Sequence, residues 1–274
     1  MELFIVDVFA ERALSGNQLA VVRGAAHLTT ADMQDIAREM NFSETTFVLE
    51  ESPDRARVRI FTPEWELPFA GHPTLGTAWV LGRQHKLYIL DLDAGAVPVT
   101  FEGDLAWMVP PAVRFSGTLD SELAARLIRL DPDDLHADFP VRLAEVGRRF
   151  VLIGVRDLAT LRRARLDEAV HRDCLERGLG VQCVFVFSPE PYADSAQFSA
   201  RMFFESGGVR EDPATGSANT AFAAYLQDRK WPDPVVVVDQ GVEVRRPSRL
   251  YLELGEPLRV GGKVRAVVQG QLLI

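Results

Sequence analysis

A carboxylate at a helix-to-strand junction is the first group in this chain that is suited to proton transfer. Glu44 lies in the stretch NFSETT, between the apolar side chains of Phe42 and Phe47. Apolar walls raise the pKa of a carboxyl group by desolvation, and such a group can take up and return protons near neutral pH. Glu44 is therefore a candidate general acid/base. The alternative is a surface glutamate, or one that accepts hydrogen bonds from nearby backbone N–H groups.

A histidine offers the same kind of chemistry at a second position. His72 follows Gly71 and precedes Pro73, at the mouth of an Ala-rich helix. Imidazole there can donate a hydrogen bond to a substrate carboxylate or relay a proton, because its charge changes near neutral pH. A lone histidine is as well explained as a structural hydrogen-bonding group, so both interpretations stay open.

Polar residues around another glycine form a third group. Asp212 precedes a proline in a turn, and Thr215, Gly216 and Ser217 open the next helix. Asp212 and Ser217 can bind a small molecule, or they can serve as a turn residue and a helix cap. Gly207-Gly208, just upstream, predicts a loop with unusual backbone angles.

These groups belong to a fragment that occurs twice. Residues 59–81 and 201–226 each predict a short strand, a loop rich in Gly and Pro, and an Ala-rich helix. A helix that opens from a glycine loop presents backbone N–H groups and the positive end of its dipole, which favour anions. We expect the two helix starts to face one cleft and to hold a small carboxylate. Aligning Gly71 with Gly216 pairs Glu66 with Glu211, Pro68 with Pro213, His72 with Ser217 and Leu81 with Leu226, and it matches Arg59–Phe61 with Arg201–Phe203 after a three-residue insertion.

The elements around the repeats indicate a duplicated α+β protein. In the first half, a hairpin and a helix over 31–40 precede the strands that lead into the first repeat. The second half follows the same order of elements. Pro110-Pro111 ends the first series, and the segment from there to about residue 120 is the expected linker. The sequence therefore predicts two α+β domains, 1–117 and 118–274.

Composition and charge narrow the class of protein. The 274-residue chain has a formal net charge of -9 and no cluster of Lys and Arg, so a nucleic-acid partner is not expected. It has neither an apolar run of membrane-spanning length nor a basic N-terminal signal, which favours a soluble cytoplasmic protein without a membrane partner. Its two cysteines, Cys174 and Cys183, lie among apolar residues and are interpreted as buried free thiols. It lacks a GxGxxG motif, a P-loop and metal-ligand spacing, so we expect neither a cofactor nor a metal.

Five stretches of the sequence stand out together: Asp7-Val8-Phe9, Gly16-Asn17, Asn41–Thr45, Phe69–Thr74 and Arg210–Ala218. They resemble the signatures of the PhzF-like family, whose founding member is the phenazine-biosynthesis isomerase. The resemblance runs from residue 3 to the C-terminal strand and implies the diaminopimelate epimerase-like fold. In that fold, two similar α+β domains each have a β-barrel-like sheet around a central helix, and the C-terminal strand can return to the first domain. The resemblance also implies a homodimer.

The resemblance also implies which chemistry the chain retains. Diaminopimelate epimerases use two cysteines, one before each helix-start glycine, and this chain has Ala70 and Thr215 at those positions. Racemisation by a pair of thiols is excluded if this pairing of the repeats holds. The PhzF-like chemistry uses one carboxylate as the acid/base, which matches Glu44. The residues that match substrate-holding or proton-assisting positions are His72, Asp212 and Ser217.

The expected function is that of a cofactor-independent isomerase, which moves a proton and hence a double bond in a small carboxylic acid. Glu44 takes a proton from carbon and returns it elsewhere on the same π-system. Two other functions stay open: an epimerase or racemase of an amino or hydroxy acid, and a non-catalytic small-molecule-binding protein. The expected substrate-binding residues are Gly71, Thr215, Gly216 and Ser217, and the expected catalytic residues are Glu44, His72 and Asp212.

Overall fold

The chain divides into two compact units of mixed strands and helices. The computed structural model describes residues 1–205 and 209–274, so the expected Gly207-Gly208 loop lies outside the described residues. The first unit comprises Met1–Pro110 and Arg259–Ile274, and the second comprises Pro111–Leu258. The C-terminal segment is therefore part of the first unit.

The first unit is a closed barrel of eight strands around one helix. Its pairing runs β17–β1–β2–β3–β4–β6–β7–β8 and back to β17, with β5 beside β4. Two pairs, β2 with β3 and β4 with β6, are parallel. The elements are β1 (Glu2–Val8), β2 (Asn17–Arg23), α1 (Thr30–Met40), β3 (Glu44–Glu51), β4 (Arg55–Phe61), β5 (Glu66–Leu67), α2 (Gly71–Gly82), β6 (Leu87–Leu92), β7 (Gly95–Glu102), β8 (Leu105–Met108) and β17 (Arg259–Gln271).

Helix α2 lies inside this barrel because its residues are small enough to fit there. It packs against β1, β2, β3, β6, β7, β8 and β17, and most of its residues are buried. The interior of an eight-strand barrel has room for side chains but little more, so a helix within it must be narrow. A Cβ on Gly76 would lie 2.6 Å from Leu19 and 2.7 Å from Val8. The Ala-rich stretch predicted as the first repeat helix is thus the central helix of the barrel.

The second unit has a similar order of elements, but a strand and a helix precede the series and two helices lie where the first unit has one. Its strands pair in the order β9–β10–β11–β12–β13–β15–β16, with β14 beside β13, and α6 packs against β10, β11 and β16. The parallel pairs are β11 with β12 and β13 with β15. The elements are β9 (Arg114–Gly117), α3 (Ser121–Leu127), β10 (Arg142–Val146), β11 (Arg148–Gly154), α4 (Leu158–Arg163), α5 (Glu168–Glu176), β12 (Cys183–Ser188), β13 (Phe198–Glu205), β14 (Val209–Asp212), α6 (Gly216–Asp228), β15 (Val235–Gln240) and β16 (Ser248–Glu253).

An ion pair repeated in both units supports the alignment of the two fragments. Arg59 donates two hydrogen bonds to Glu66, each 2.6 Å long, and Arg201 donates two to Glu211, at 3.0 and 2.6 Å. The strand register also matches, since Phe61 lies opposite Glu66 and Phe203 lies opposite Glu211. The three-residue insertion falls between the strand and this glutamate in the second copy, as the alignment predicts.

Local signals set most of the predicted boundaries, and one expected loop contains a strand. Thr29 caps α1 through a capping box with Asp32, and Gly178 follows α5 with a φ of 67°. The expected linker after Pro110-Pro111 instead carries β9, which pairs with β10. This strand has only four residues, Arg114–Gly117, which are too few to show a periodic pattern in the sequence.

Candidate active site

Glu44 is the first residue of β3, and its carboxyl group is largely enclosed. Its side chain is 14% exposed, and the Oε2 atom is buried. Thr46, on the same face of the strand, hydrogen-bonds to Thr77 of the central helix at 2.8 Å. Because side chains alternate along a strand, Glu44 also faces α2. A buried carboxyl group that faces the central helix is a suitable position for an acid/base.

The expected contact between Glu44 and Phe47 is wrong. Phe47 is three residues further along β3 and therefore points to the opposite face of the strand. It packs in the hydrophobic cluster that includes Met33 and Ile36 of α1, and its ring lies edge-on to Phe61 at 5.4 Å. The enclosure of Glu44 thus comes from the side of α2.

His72 is the second residue of α2 and is buried, with a contact on each ring nitrogen. Its Nε2 atom is 3.3 Å from the backbone carbonyl oxygen of Gln18, and Nδ1 is 3.3 Å from Nδ2 of Asn17. Burial lowers the pKa of His72 to about 3, a shift that the bond to the Gln18 carbonyl opposes. The imidazole is therefore neutral near pH 7, and since a carbonyl can only accept, Nε2 carries the ring proton.

The same histidine nitrogen meets the carboxyl group of Glu44. Nδ1 of His72 is 3.4 Å from Oε2 of Glu44. In the neutral ring Nδ1 is an acceptor, so it can accept a proton that resides on Oε2 but cannot donate one to it. The arrangement can hold a proton between a carboxyl oxygen and an imidazole nitrogen. The structure therefore brings together two predicted residues that lie far apart in the sequence.

The two predicted helix starts share a backbone arrangement that differs from that of the other helices. α2 follows Ala70 and α6 follows Thr215, and within the described residues no side chain caps either helix. By contrast, side chains cap α1, α3, α4 and α5: they are those of Thr29, Asp120, Asp157 and Asp167. Neither α2 nor α6 has an acidic residue in its first turn. Uncapped N–H groups with no acidic residue in the same turn of the helix are suited to binding an anion.

Asp212 is held by a buried polar network at the start of α6. Its Oδ2 atom accepts a hydrogen bond from the Thr215 hydroxyl at 2.5 Å, and its backbone carbonyl accepts one from Nε2 of Gln240 at 2.9 Å. Gln240 also accepts a bond from Asn219 of α6 at 3.0 Å. The predicted residues Asp212 and Thr215 are thus in contact. Ser217, the second residue of α6, is half-buried.

Sequence reasoning missed Gln240 and Asn219, although one signal pointed to the first of them. Gly241 follows Gln240 with a φ of 76°, and a Cβ there would lie 2.9 Å from the Cα atom of Pro213. A glycine directly after the strand β15 is typical of a close backbone approach. That approach brings Gln240 under the turn that carries Asp212.

Both cysteines are remote from the helix starts in the chain and are buried. Cys174 lies in α5 and Cys183 begins β12, and both are free thiols. Burial raises the pKa of the Cys174 thiol, which disfavours the reactive thiolate. Ala70 and Thr215 directly precede α2 and α6, so each lies immediately before a helix-start glycine.

Two kinds of feature are absent from the part of the chain that the structure describes. No group of three or more His, Cys, Asp or Glu side chains that could hold a metal ion occurs among residues 1–205 and 209–274. In the same part of the chain, no helix has both the length and the apolar character needed to cross a membrane.

Comparison with known proteins identifies the family. A family model described as phenazine biosynthesis-like protein matches residues 6–272, and the chain belongs to this family. The chain is 37% identical to the trans-2,3-dihydro-3-hydroxyanthranilate isomerase of Pseudomonas aeruginosa, over 90% of this chain and 88% of the relative. It is 34% identical to an uncharacterised isomerase of Pasteurella multocida, over 98% of this chain and 93% of that protein. The predicted isomerase class is confirmed, and a non-catalytic binding protein loses support.

Solved structures give the same result for the fold. A PhzF-family protein of Bacillus anthracis matches with a TM-score of 0.88 and 26% identity, covering 100% of this chain and 99% of the other. A predicted epimerase from Pseudomonas aeruginosa matches with a TM-score of 0.84 and 33% identity at the same coverage. A probable proline racemase of Agrobacterium radiobacter, at 13% identity and a TM-score of 0.63, shares the fold alone. The predicted fold class is confirmed.

Proposed function

We propose that this isomerase moves a proton, and with it a double bond, in a small carboxylic acid, with Glu44 as the general acid/base. The observation that carries the proposal is the buried Oε2 atom of Glu44, 3.4 Å from an imidazole nitrogen that can only accept a proton. A carboxylate at this position can take a proton from carbon, hold it beside the imidazole, and return it elsewhere on the same π-system.

The backbone at the helix starts supports the choice of a carboxylate as substrate. The uncapped first turn of α2, at Gly71, presents N–H groups to an anion beside the Glu44 and His72 pair. In the second unit, Thr215, Gly216 and Ser217 offer the corresponding donors. Asp212, which accepts a hydrogen bond from the Thr215 hydroxyl, is proposed to bind a substrate amine or hydroxyl. Fixed dipoles of this kind stabilise the negative charge that develops when carbon loses a proton.

The relatives suggest which compound to test first. The Pseudomonas proteins, at 35% to 37% identity, are trans-2,3-dihydro-3-hydroxyanthranilate isomerases. That compound combines a ring carboxylate, a hydroxyl group and double bonds. Migration of such a double bond requires the proton transfer that Glu44 is proposed to perform. Fold and motif specify the proton transfer better than the substrate, so related cyclic carboxylates belong in the same screen.

The decisive experiment replaces Glu44 by glutamine, which keeps the shape of the side chain but cannot exchange a proton. We expect Glu44→Gln to lower turnover at least ~100-fold, as loss of a general acid/base does, while the protein stays folded. The matched control is Glu50→Gln, which removes an exposed carboxylate from the same strand. Reaction in D₂O with the unchanged protein should place deuterium on the carbon that gains the proton. Near-normal turnover of Glu44→Gln would remove Glu44 from the mechanism.

An epimerase is the second candidate, because a predicted epimerase is similar to the chain over its whole length. Epimerisation needs two acid/base groups on opposite faces of the stereocentre. His72 contacts Glu44 at 3.4 Å, so these two groups approach a substrate from the same side. Asp212 would then have to be the second base. Deuterium that appears at a stereocentre without migration of a double bond would favour this alternative.

We also propose that the protein is a cytoplasmic homodimer, as the family resemblance implies. Light scattering on the purified protein should give twice the chain mass of 30.4 kDa. A mass equal to that of one chain would contradict the dimer without affecting the proposed chemistry.

A further inference from the structure

Two of the sequence stretches that resemble the family, Asp7-Val8-Phe9 and Gly16-Asn17, have no role in the proposed mechanism as described so far. Asp7 and Val8 end β1, Phe9 and Gly16 lie in the connection to β2, and Asn17 is the first residue of β2. Asn17 is buried, and its amide nitrogen is 3.3 Å from Nδ1 of His72. Its side chain therefore acts on the same nitrogen that faces Glu44.

The contacts of the ring determine the direction of this hydrogen bond. The Gln18 carbonyl accepts from Nε2, so Nε2 carries the proton of the neutral imidazole and Nδ1 has a lone pair. The atom of Asn17 that faces Nδ1 must then be a donor, which agrees with its Nδ2 atom at that position. Two consecutive residues thus fix both nitrogens: Gln18 through its backbone and Asn17 through its side chain.

We infer that Asn17 is a positioning residue that keeps Nδ1 of His72 unprotonated and so leaves the shared proton on Glu44. A hydrogen bond donated to the neutral form of a base favours that form. Without the Asn17 donor, Nδ1 is available to take the proton from Oε2, which gives an imidazolium beside a carboxylate. Glu44 would then lack the proton that it delivers to carbon. This inference rests on the proposed role of Glu44.

The loop before Asn17 is built to hold this amide in place. Phe9 is buried and has a φ of 60°, and Gly16 has a φ of 70°. A Cβ on Gly16 would lie only 2.8 Å from the Cβ atom of Ala10, so a larger residue does not fit there. Oδ2 of Asp7 accepts a hydrogen bond from the backbone N–H of Leu14 at 2.7 Å, across the loop. Left-handed backbone at non-glycine residues persists only where the surroundings enforce it. Through these contacts, both stretches help to hold the Asn17 amide beside His72.

Other charged groups near the ring do not account for its protonation state. Among the described residues, Glu44 on β3 is the charged side chain that contacts the imidazole. Asp7, the acidic residue of β1 closest to the loop, directs its carboxylate to Leu14 instead. The hydrogen bonds to Nδ1 and Nε2 are therefore the local features that a single substitution can change.

The test measures protonation of His72 directly, by long-range ¹H–¹⁵N correlation NMR on protein with labelled histidine, between pH 6 and 8. In the unchanged protein we expect Nδ1 to show the resonance of an unprotonated ring nitrogen and Nε2 that of a protonated one. Asn17→Ala should shift Nδ1 toward the protonated position, and Asn17→Asp should shift it further, because a carboxylate there favours the imidazolium. Thr77→Val is the control, since it removes a buried hydrogen bond of α2 that does not involve the ring.

Kinetics on the same variants separate this inference from the proposed function. We expect Asn17→Ala to lower kcat by about 10-fold with KM within about 2-fold, because a proton is misplaced while substrate binding is kept. A protonated Nδ1 in the unchanged protein would overturn the inference even if neither variant folded. Unchanged Nδ1 resonances in folded Asn17→Ala and Asn17→Asp would overturn it too. A graded NMR shift with unaltered kcat would support the role of Asn17 and overturn that of Glu44.

Discussion

The duplicated ion pair allows the cost of breaking a buried charge pair to be measured against a control in the same chain. Arg201 and Glu211 are 3% and 9% exposed, whereas Arg59 and Glu66 are 25% and 34% exposed. In both pairs the arginine donates two hydrogen bonds to the glutamate, and each pair joins equivalent strands, β4 to β5 and β13 to β14. We therefore propose to compare Glu211→Gln with Glu66→Gln, which remove the same charge from equivalent positions.

The expected magnitudes follow from burial. Removing one partner of a buried pair costs ~3–5 kcal/mol, because the remaining charge stays buried without compensation. Arg201 keeps a hydrogen bond to the backbone carbonyl of Ala164 at 2.7 Å, and the Glu243 carboxylate is 3.9 Å away. We therefore expect Glu211→Gln to cost about 3 kcal/mol, at the lower end of that range. For the exposed pair, Glu66→Gln should cost at most about 1 kcal/mol.

Urea unfolding gives the loss of stability for each variant, and hydrogen exchange followed by mass spectrometry shows where it occurs. Amides of β13 and β14 should exchange faster in Glu211→Gln, while those of β4 and β5 should change little in Glu66→Gln. Equal losses in the two variants would refute the reasoning, since it derives the difference from burial alone. A larger loss in Glu66→Gln would show that geometry, rather than exposure, sets the contribution of these pairs.

Two further predictions follow from the thiols and from the buried histidine. The double variant Cys174→Ser, Cys183→Ser should keep its turnover, and iodoacetamide should leave the native enzyme active. If iodoacetamide inactivates the enzyme and substrate prevents that inactivation, a cysteine does reach the site. Because burial lowers the pKa of His72 to about 3, the unfolded chain binds a proton below pH 6.5 that the folded chain does not. Stability should therefore fall from pH 6.5 toward pH 3, by up to about 1.4 kcal/mol per unit from this group, and urea unfolding of His72→Gln should show a shallower slope. An equal slope in both proteins would contradict the low pKa.

Features that depend on short-range chemistry were predictable from the sequence. The start of α1 follows from the Thr29 capping box, and the starts of α2 and α6 follow from Gly71 and Gly216. The repeat alignment was also informative, because each copy had to preserve the Arg–Glu pair that joins its two short strands. Local rules of capping and backbone freedom need no knowledge of the tertiary structure.

Features that depend on contacts between distant segments were not predictable. Asn17 and His72 are 55 residues apart, and Asn219 and Gln240 lie on a helix and a strand whose proximity no local pattern shows. The error at Phe47 has a different origin. Phe47 is close to Glu44 in sequence, but in a strand an odd separation places two side chains on opposite faces.

Closure of the first barrel connects its proposed chemistry to the end of the chain. β17 pairs with β1 on one side and with β8 on the other, so the barrel around α2 is complete only when residues 259–271 are in place. A Cβ on Gly262 of β17 would overlap the ring of Phe9, which begins the loop that positions Asn17. The small residue thus lets Phe9 pack against the closing strand. The conformation of Asn17, and with it the protonation of His72, depends on a strand almost 250 residues further along the chain.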